Sequence, residues 1–313
     1  METFWILLQR MIVLLLIGLL GFFAKRRGIL DEVAQQKAQA IMLKLGVPFA
    51  ILSSVSADSD PSMGKNIVTM LIISAVAMLV FFLVAQLFCR RKGVDRADRA
   101  GIIMGLMFGN TLFVGLPLAE VLFGPQGIFY LSLFNLVSTV LTWTYGASVC
   151  QPSGRFQWKT MLSNPAFIAS LFMVLLVLFQ VPLPLVLSDT MSILGKMTTP
   201  LSMLLLGAML AGMSVHEVFR RPISYAVTLV RLVVLPLALL FVIRLFGVGE
   251  EVMRIAAICV GLPAGSLNPS IVRSGGLNPA TANSIAVLTT LGSVITIPIM
   301  MLYVNLLLAL PVG

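Results

Sequence analysis

The chain has 313 residues, of which 59% are hydrophobic and only 11% are charged. A soluble domain is typically about 45–50% apolar and roughly 25% charged. Charge this sparse cannot cover a globular surface, so the composition excludes a soluble protein and predicts an all-α integral membrane protein. At roughly 20 apolar residues per span, there is room for about ten transmembrane helices and none for a separate extramembrane domain.

The apolar runs give predicted spans, numbered here from span 1 to span 10 in chain order. They cover Phe4–Phe23, Ala38–Ser56, Ile67–Cys89, Ala100–Phe123, Ile128–Cys150, Pro165–Val181, Met191–Met213, Ile223–Phe246, Val252–Arg273 and Ala280–Leu310. Span 1 has no basic segment before it and no small-residue cleavage site. We therefore expect it to remain as a helix and not to be removed as a signal peptide.

Lysine and arginine are distributed unequally between the two sets of loops. One side receives Lys25, Arg26, Arg27, Lys37, Arg90, Arg91, Lys92, Arg96, Arg99, Arg155, Lys159, Arg220, Arg221 and Arg273, and the other receives only Lys65, Arg244 and Arg254. The basic side is predicted to be cytoplasmic, which places both termini outside when the number of spans is even. The formal charge of +9 reflects this bias. It favours contact with anionic headgroups of the lipid bilayer and requires no nucleic-acid partner.

The second half of the chain repeats features of the first at a nearly constant offset. The matching pairs are Lys44 with Lys196, Pro48 with Pro200, Gly93-Val94 with Gly247-Val248, and Arg99 with Arg254. Each half, residues 1–150 and residues 164–313, contains five predicted spans. Because five is odd, two such halves must lie in opposite orientations in the membrane. This predicts a five-plus-five inverted repeat, the plan of many secondary transporters.

Spans 4 and 9 contain unusual motifs near their centres. Residues 108–117 read FGNTLFVGLP and residues 261–269 read GLPAGSLNP. Proline removes a backbone donor and glycine permits an irregular backbone, so both spans are predicted to be broken helices. Paired interruptions at matching places in the two halves indicate a transport site. The candidate substrate-binding residues are Gly109, Asn110, Thr111, Pro117, Pro263, Ala264, Gly265, Ser266 and Asn268. Simple kinks without a site remain the alternative.

These motifs resemble those of the auxin efflux carrier family, which includes plant auxin carriers and bacterial carboxylate transporters. The resemblance extends from end to end and includes Asn164-Pro165 at span 6 and Leu235 to Leu240 in span 8. It implies a fold shared in outline with sodium/proton antiporters of the NhaA type and with bile-acid symporters. Spans 4 and 9 would then be crossover helices in a moving transport domain. Spans 1, 2, 6 and 7 would form a scaffold. Contacts between two such scaffolds could form a homodimer.

The chain also departs from the plant members of that family. Gly109 replaces a proline of the plant motif, and the second proline of span 9, Pro269, falls one residue later. The long cytoplasmic insertion of many plant members is absent. The resemblance therefore implies a multi-pass protein of the bacterial inner (plasma) membrane. Its expected activity is efflux or permeation of small organic anions by alternating access, with mono- or dicarboxylates such as malonate or malate, or auxin-like acids, as substrates.

A carboxylate requires hydrogen-bond donors and positive potential, which broken helix ends and neutral side chains such as Asn110 can supply. Lys44, Lys196 and Asn135 are predicted to line vestibules, although the two lysines could instead extend to a membrane interface. The other charges within the spans, on Arg10, Glu120 and Arg231, are expected to be structural.

Span 5 has no acidic residue in its core, which disfavours proton antiport. Sodium symport and uniport driven by the membrane potential both remain open. The spans contain no histidine and no acidic pair at membrane depth, which excludes an enzyme. The scattered cysteines and the lone His216 offer no metal site, and no cofactor is predicted. A non-transporting sensor on a transporter fold is the remaining rival.

Overall fold

The computed structural model describes residues 2–55, 62–151, 154–212 and 218–309. The helices of the first half are α1 Glu2–Arg26, α2 Glu32–Ile41, α3 Val47–Ser53, α4 Ser62–Cys89, α5 Arg96–Met107, α6 Leu116–Leu141 and α7 Ala147–Cys150. Those of the second half are α8 Trp158–Leu162, α9 Pro165–Leu178, α10 Leu185–Lys196, α11 Thr198–Ala211, α12 Pro222–Leu229, α13 Leu235–Leu245, α14 Glu250–Gly261, α15 Asn268–Ser274 and α16 Ala280–Ala309. The described residues contain no β-strand, only one isolated bridge. His216 lies outside them.

Segments long and apolar enough to cross a membrane are present along the described chain. They are Asn66–Cys89, Thr111–Cys150, Leu185–Ala211, Pro222–Leu245 and Ala280–Ala309, and the shorter α9 is also apolar. Gly124 has a φ of 62°, which interrupts α6 between predicted spans 4 and 5. The prediction of a helical, multi-pass membrane protein is confirmed, whereas the exact number of spans stays a prediction.

Short π-helical turns widen several of these helices, at Met42–Gly46, Thr111–Gly115, Thr142–Gly146 and Val230–Val234. The first, second and fourth of these turns each end two residues before a proline, namely Pro48, Pro117 and Pro236. Proline has no N–H to give to the carbonyl four residues earlier, and a wider turn lets the preceding N–H bond five residues back. Val47 bonds to Met42 in this way, and Leu235 to Val230.

The chain divides into two compact units that do not follow the two predicted repeats. Unit 1 comprises residues 1–70, 112–136 and 162–213, and unit 2 comprises residues 71–111, 137–161 and 214–313. Unit 1 contains predicted spans 1, 2, 6 and 7, the four that the family resemblance assigns to the scaffold. Unit 2 contains the interrupted parts of spans 4 and 9. Each unit therefore draws helices from both halves of the sequence.

Within unit 1, α1 and α11 approach until their backbones touch. A Cβ atom at Gly21 would overlap the carbonyl oxygen of Leu204, and one at Gly207 would overlap that of Gly18. Only glycine can occupy such positions without moving the helices apart. Small residues commonly allow this kind of close packing between membrane helices.

Candidate functional site

Two helices of unit 2 stop inside the motifs that the sequence singled out. α14 ends at Gly261, and Leu262 is extended with a ψ of 142°, because a residue before proline is driven out of the helical region. α5 ends at Met107, and Phe108 is extended with a φ of −105° and a ψ of 107°. We refer to residues 108–110 and 262–267 as the paired interruption.

The two segments of the paired interruption are joined by their backbones. Gly109 and Ala264 form an isolated antiparallel bridge. The backbone N–H of Asn110 donates to the carbonyl of Pro263 at 2.8 Å, and the N–H of Gly265 donates to the carbonyl of Phe108 at 2.9 Å. Donors and acceptors freed by each broken helix thus satisfy those of the other, as a membrane interior requires.

Asn268 connects the two segments with its side chain. Its Nδ2 atom donates to the carbonyls of Met104 at 2.8 Å and Phe108 at 2.9 Å. An amide nitrogen has two hydrogens to give, and both have backbone acceptors here. In this structure Asn268 therefore holds the end of α5, although the sequence proposed it as a substrate ligand.

Thr289 supports the paired interruption from α16. Its hydroxyl oxygen accepts a hydrogen bond from the backbone N–H of Ala264 at 3.0 Å. The same hydroxyl donates to the carbonyl of Ile285 at 2.6 Å. Thr289 is completely buried. No signal in the motifs pointed to this residue, because it lies in another span.

The side chains of Asn110 and Ser266 meet beside the bridge. Nδ2 of Asn110 donates to Oγ of Ser266, and both residues are buried. Buried polar groups at membrane depth are costly unless they are paired, and they mark substrate or ion pathways. The two residues come from opposite halves of the sequence, so the contact brings polar side chains from both motifs to one place.

Arg231 lies behind the paired interruption, on the π-helical turn Val230–Val234. It is completely buried. Its Nε atom donates to the carbonyl of Leu262 at 3.1 Å, and its Nη1 atom donates to the carbonyl of Leu106. The guanidinium lies over the ring of Phe81 at 4.5 Å. Arg231, which the sequence analysis expects to be structural, thus contacts one segment of the paired interruption and the last turn of α5 before the other segment. Its charge within a span was the available signal.

The predicted site residues divide between the two units. Unit 2 brings together Gly109, Asn110, Pro263, Ala264, Gly265, Ser266 and Asn268, and Thr111 follows directly in the chain. Pro117 lies in the first turn of α6, and Asn135 is buried further along the same helix. Both belong to unit 1.

The two predicted vestibule lysines also belong to unit 1. Lys44 lies on the π-helical turn Met42–Gly46 and Lys196 is the last residue of α10, and both are exposed. The helices cross tightly between them, since a Cβ atom at Gly46 would lie 2.8 Å from Oγ1 of Thr198. Nearby, the hydroxyl of Thr199 donates to the carboxylate of Glu120.

A mainly apolar cavity of about 510 Å³ lies in unit 2, between α4 and the second part of α6. Its lining includes Met78, Phe82 and Met107, the last residue of α5. Tyr145 supplies a polar edge, and its hydroxyl accepts a hydrogen bond from Gln86 at 2.5 Å. The volume is within the range of small-molecule pockets.

Several helices are apolar and long enough to cross a membrane, and two other helices end at breaks that hydrogen-bond to each other. Together these features are those of a membrane protein of the transporter class. A sequence profile described as "Membrane transport protein" matches residues 6–157 and again residues 150–301. The chain therefore belongs to this family, the auxin efflux carrier family that its motifs resemble. The two matches together cover most of the chain.

Individual relatives agree with this assignment. An "Uncharacterized transporter" of Methanothermobacter thermautotrophicus is 23% identical over 93% of this chain and 96% of its own length. "Uncharacterized transporter YfdV" of Escherichia coli is 21% identical over 96% and 97%, respectively. "Uncharacterized transporter MJ1031" of Methanocaldococcus jannaschii is 26% identical over 64% of this chain and 68% of its own length. The expectation of a membrane transporter is thereby confirmed.

Proposed function

We propose that this transporter carries small organic anions, such as malonate, malate or auxin-like acids, by alternating access at the paired interruption. The observation that carries the proposal is the contact of Asn110 with Ser266 beside the bridge between Gly109 and Ala264. It places neutral donors from both halves at one buried point. The hydrogen bond that each neutral donor can give to a carboxylate is modest in free energy, which suits a substrate that must be released.

The backbone supports a repeat of five spans in each half. Left-handed residues recur in pairs, because Gln180 follows Gly28 by 152 residues, Gly247 follows Gly93 by 154, and Gly276 follows Gly124 by 152. The remaining left-handed residue of the described chain, Gly154, lies in the segment between the halves. Each pair ends a helix at a corresponding place. We infer that residues 1–150 and 164–313 are inverted repeats of five spans.

The paired interruption has the same internal symmetry. Its two backbone hydrogen bonds join Asn110 to Pro263 and Gly265 to Phe108. Gly265 follows Asn110 by 155 residues, and Pro263 follows Phe108 by the same number. Equivalent atoms of the two halves thus pair reciprocally, which is the behaviour of a local two-fold axis. In this proposal α5 and α14 are the first halves of two crossover helices.

Lys44 and Lys196 would raise the local concentration of anions in two vestibules. Gly46 and Thr198 meet at the tight crossing, and Lys44 and Lys196 lie two residues before them in sequence, respectively. If the two helices run antiparallel, as an inverted repeat requires, the lysines lie on opposite sides of that crossing. One lysine would then face the cytoplasmic vestibule and the other the external vestibule. Asn135 would be a neutral polar group of the vestibule lining.

Uptake into proteoliposomes tests the proposal. Purified protein would be offered labelled malonate, malate and indole-3-acetate, the last because the cavity beside Met107 could accept an apolar ring. The expected result is uptake of at least one acid above that of protein-free liposomes. Binding without uptake would favour a sensor over a transporter.

Repeating the assay with and without a sodium gradient separates sodium symport from uniport. Light scattering of the purified protein would test the homodimer.

A further inference from the structure

We infer that Arg231 is the specificity-determining cation of the substrate site, and that a carboxylate of the substrate becomes its counterion. This inference rests on the proposed function. It goes further because it names the group that selects anions over neutral molecules. It also replaces the expectation that Arg231 only supports the fold.

The first argument concerns the hydrogen bonds of the guanidinium. Nε and Nη1 donate to the carbonyls of Leu262 and Leu106, whereas Nη2 is buried and has no hydrogen-bond partner among the residues that the structure describes. Buried donors are normally satisfied, so an open one calls for an explanation. Nη2 is the donor that remains available to a ligand.

The second argument concerns charge. Ion pairs elsewhere in the described residues include Arg221 with Asp98 and Arg254 with Glu250. No carboxylate is paired with Arg231 there, and its neighbour is the ring of Phe81. Burial of an unpaired ion is costly, and a neutral donor could satisfy a backbone carbonyl without that cost. The arrangement is therefore better explained by an anion that arrives from outside the protein.

The third argument concerns Gly109. A Cβ atom at this position would lie 2.6 Å from Nη2 of Arg231. Because Gly109 has no side chain, the guanidinium can lie close to the backbone of the bridge. Gly109 is the residue directly before Asn110. Because Nη2 is covered in this structure, the two segments must separate slightly for direct contact with an anion. Even before contact, a buried charge is screened less than an exposed one and attracts the anion.

The fourth argument is that the charge occurs in one half only. The residues that precede Arg231 by 152 to 154 positions are Leu79, Met78 and Ala77, all apolar. Leu106 and Leu262, whose carbonyls it contacts, are 156 residues apart and thus nearly equivalent in the two halves. A single cation therefore contacts the ends of both broken helices, as expected for one central anion site.

Calorimetric titration of the purified protein with malonate, malate and indole-3-acetate tests the inference. Arg231→Gln should weaken binding of the acid that the wild type binds best by about 10- to 100-fold, the scale of a lost hydrogen bond to a charged group. Arg231→Lys should keep part of the affinity, since it keeps the charge but loses the fork of donors. Arg244→Gln is the matched control, because Arg244 also donates to a backbone carbonyl, that of Leu307, but away from the interruption. It should bind like the wild type.

The outcomes separate the two proposals. If the wild type neither binds nor transports any of the three acids, the proposed function fails and the inference with it. If the wild type binds an acid and Arg231→Gln binds it equally well, Arg231 is only structural and the inference alone fails. If Arg231→Gln does not fold, Gly109→Ala decides, since it keeps the arginine but displaces Nη2. Affinity reduced at least 10-fold supports the inference, and wild-type affinity overturns it.

Discussion

At the scale of the residue, Asn110 offers the most direct test of the proposed site. Its amide donates to Ser266 beside the bridge. In the proposal this amide turns to the substrate carboxylate, so Asn110→Ala should weaken binding by about 1–3 kcal/mol, the scale of a hydrogen bond to a charged group. Asn110→Asp should be worse, because it adds a like charge. Titration with the transported acid would measure both effects.

Asn278 provides the control for that experiment. Its side chain accepts a hydrogen bond from the N–H of Ala280 at the start of α16 and is exposed. Asn278→Ala removes an asparagine of unit 2 outside the site, so affinity should not change. Normal binding and transport by both Asn110 variants would show that Asn110 is not a ligand.

Thr289 should matter for the integrity of the paired interruption. Thr289→Val has the same shape but removes the oxygen that accepts from the N–H of Ala264. The buried N–H would lose its acceptor, which costs about 1–3 kcal/mol. Thr290→Val is the matched control, because the hydroxyl of Thr290 donates to the carbonyl of Ala286 within its own helix. Thermal unfolding in detergent should show a lower midpoint for Thr289→Val than for Thr290→Val, and equal midpoints would contradict the role of the threonine.

How far single residues could be predicted depended on the distance of their partners in sequence. Asn110, Ser266 and Asn268 stood out, because amide and hydroxyl groups are unusual at the centre of a span. Their contacts could not be predicted, since Asn268 reaches carbonyls about 160 residues away. Arg231 was noticed as a charge within a span. Its acceptors lie 125 and 31 residues away, and only the folded chain brings them together.

At the scale of the element, the prolines should control whether the helices remain broken. Pro263 holds Leu262 in an extended conformation, and Pro117 follows the wide turn Thr111–Gly115. Pro263→Leu restores an N–H and permits α14 to continue past Gly261, whereas Pro117→Leu restores an N–H and permits the wide turn to become a regular α-helix. Both variants should fold and lose most of their transport. Initial uptake rates, with folding checked by gel filtration, would measure this.

Pro298 supplies the comparison for the proline variants. It lies inside α16, which continues as a helix through it. Pro298→Leu therefore alters a proline in a span without closing an interruption, and its transport should stay near the wild-type rate. Full activity in Pro263→Leu would mean that the neighbouring glycines suffice to break the helix.

The elements themselves were largely predictable, because apolar periodicity and length identify membrane helices well. Each predicted span has a helical counterpart, and α2 begins earlier than span 2 because Asp31 caps it, accepting from Ala34 at 2.7 Å. The π-helical turns were not predicted. Three follow from prolines in retrospect, whereas the turn Thr142–Gly146 has no such proline.

At the scale of the whole molecule, the orientation can be tested by labelling. Cys89, Cys150 and Cys259 are buried and would first be replaced by alanine. A single cysteine at Arg155 should then react with an impermeant maleimide only after the cells are opened, because the basic loops are predicted to be cytoplasmic. A cysteine at Gly249, where a side chain meets open space, should react in intact cells.

Each labelling site controls for the other, since both are exposed. The reverse pattern would invert the proposed topology. Labelling of both sites from one side would contradict an odd number of spans between them and with it the proposed arrangement of repeats.

That the protein lies in a membrane followed from composition alone, but its compact units did not. Sequence similarity between the halves reflects which residues correspond, whereas the units depend on which helices pack. The helices α5 and α14, which correspond in the proposed repeat, belong to one unit, and their interruptions bond to each other. Such reciprocal bonds leave no mark in the sequence beyond the glycines and prolines that permit them.

The glycine contact between α1 and α11 has a mechanical consequence. Most helix interfaces can yield by changing side-chain rotamers, and such yielding gives them elasticity. At Gly18, Gly21 and Gly207 no side chain intervenes, so the two backbones bear directly on each other. The two helices should therefore move together as one rigid body. They can tilt or translate as a pair, but α1 should not slide along α11.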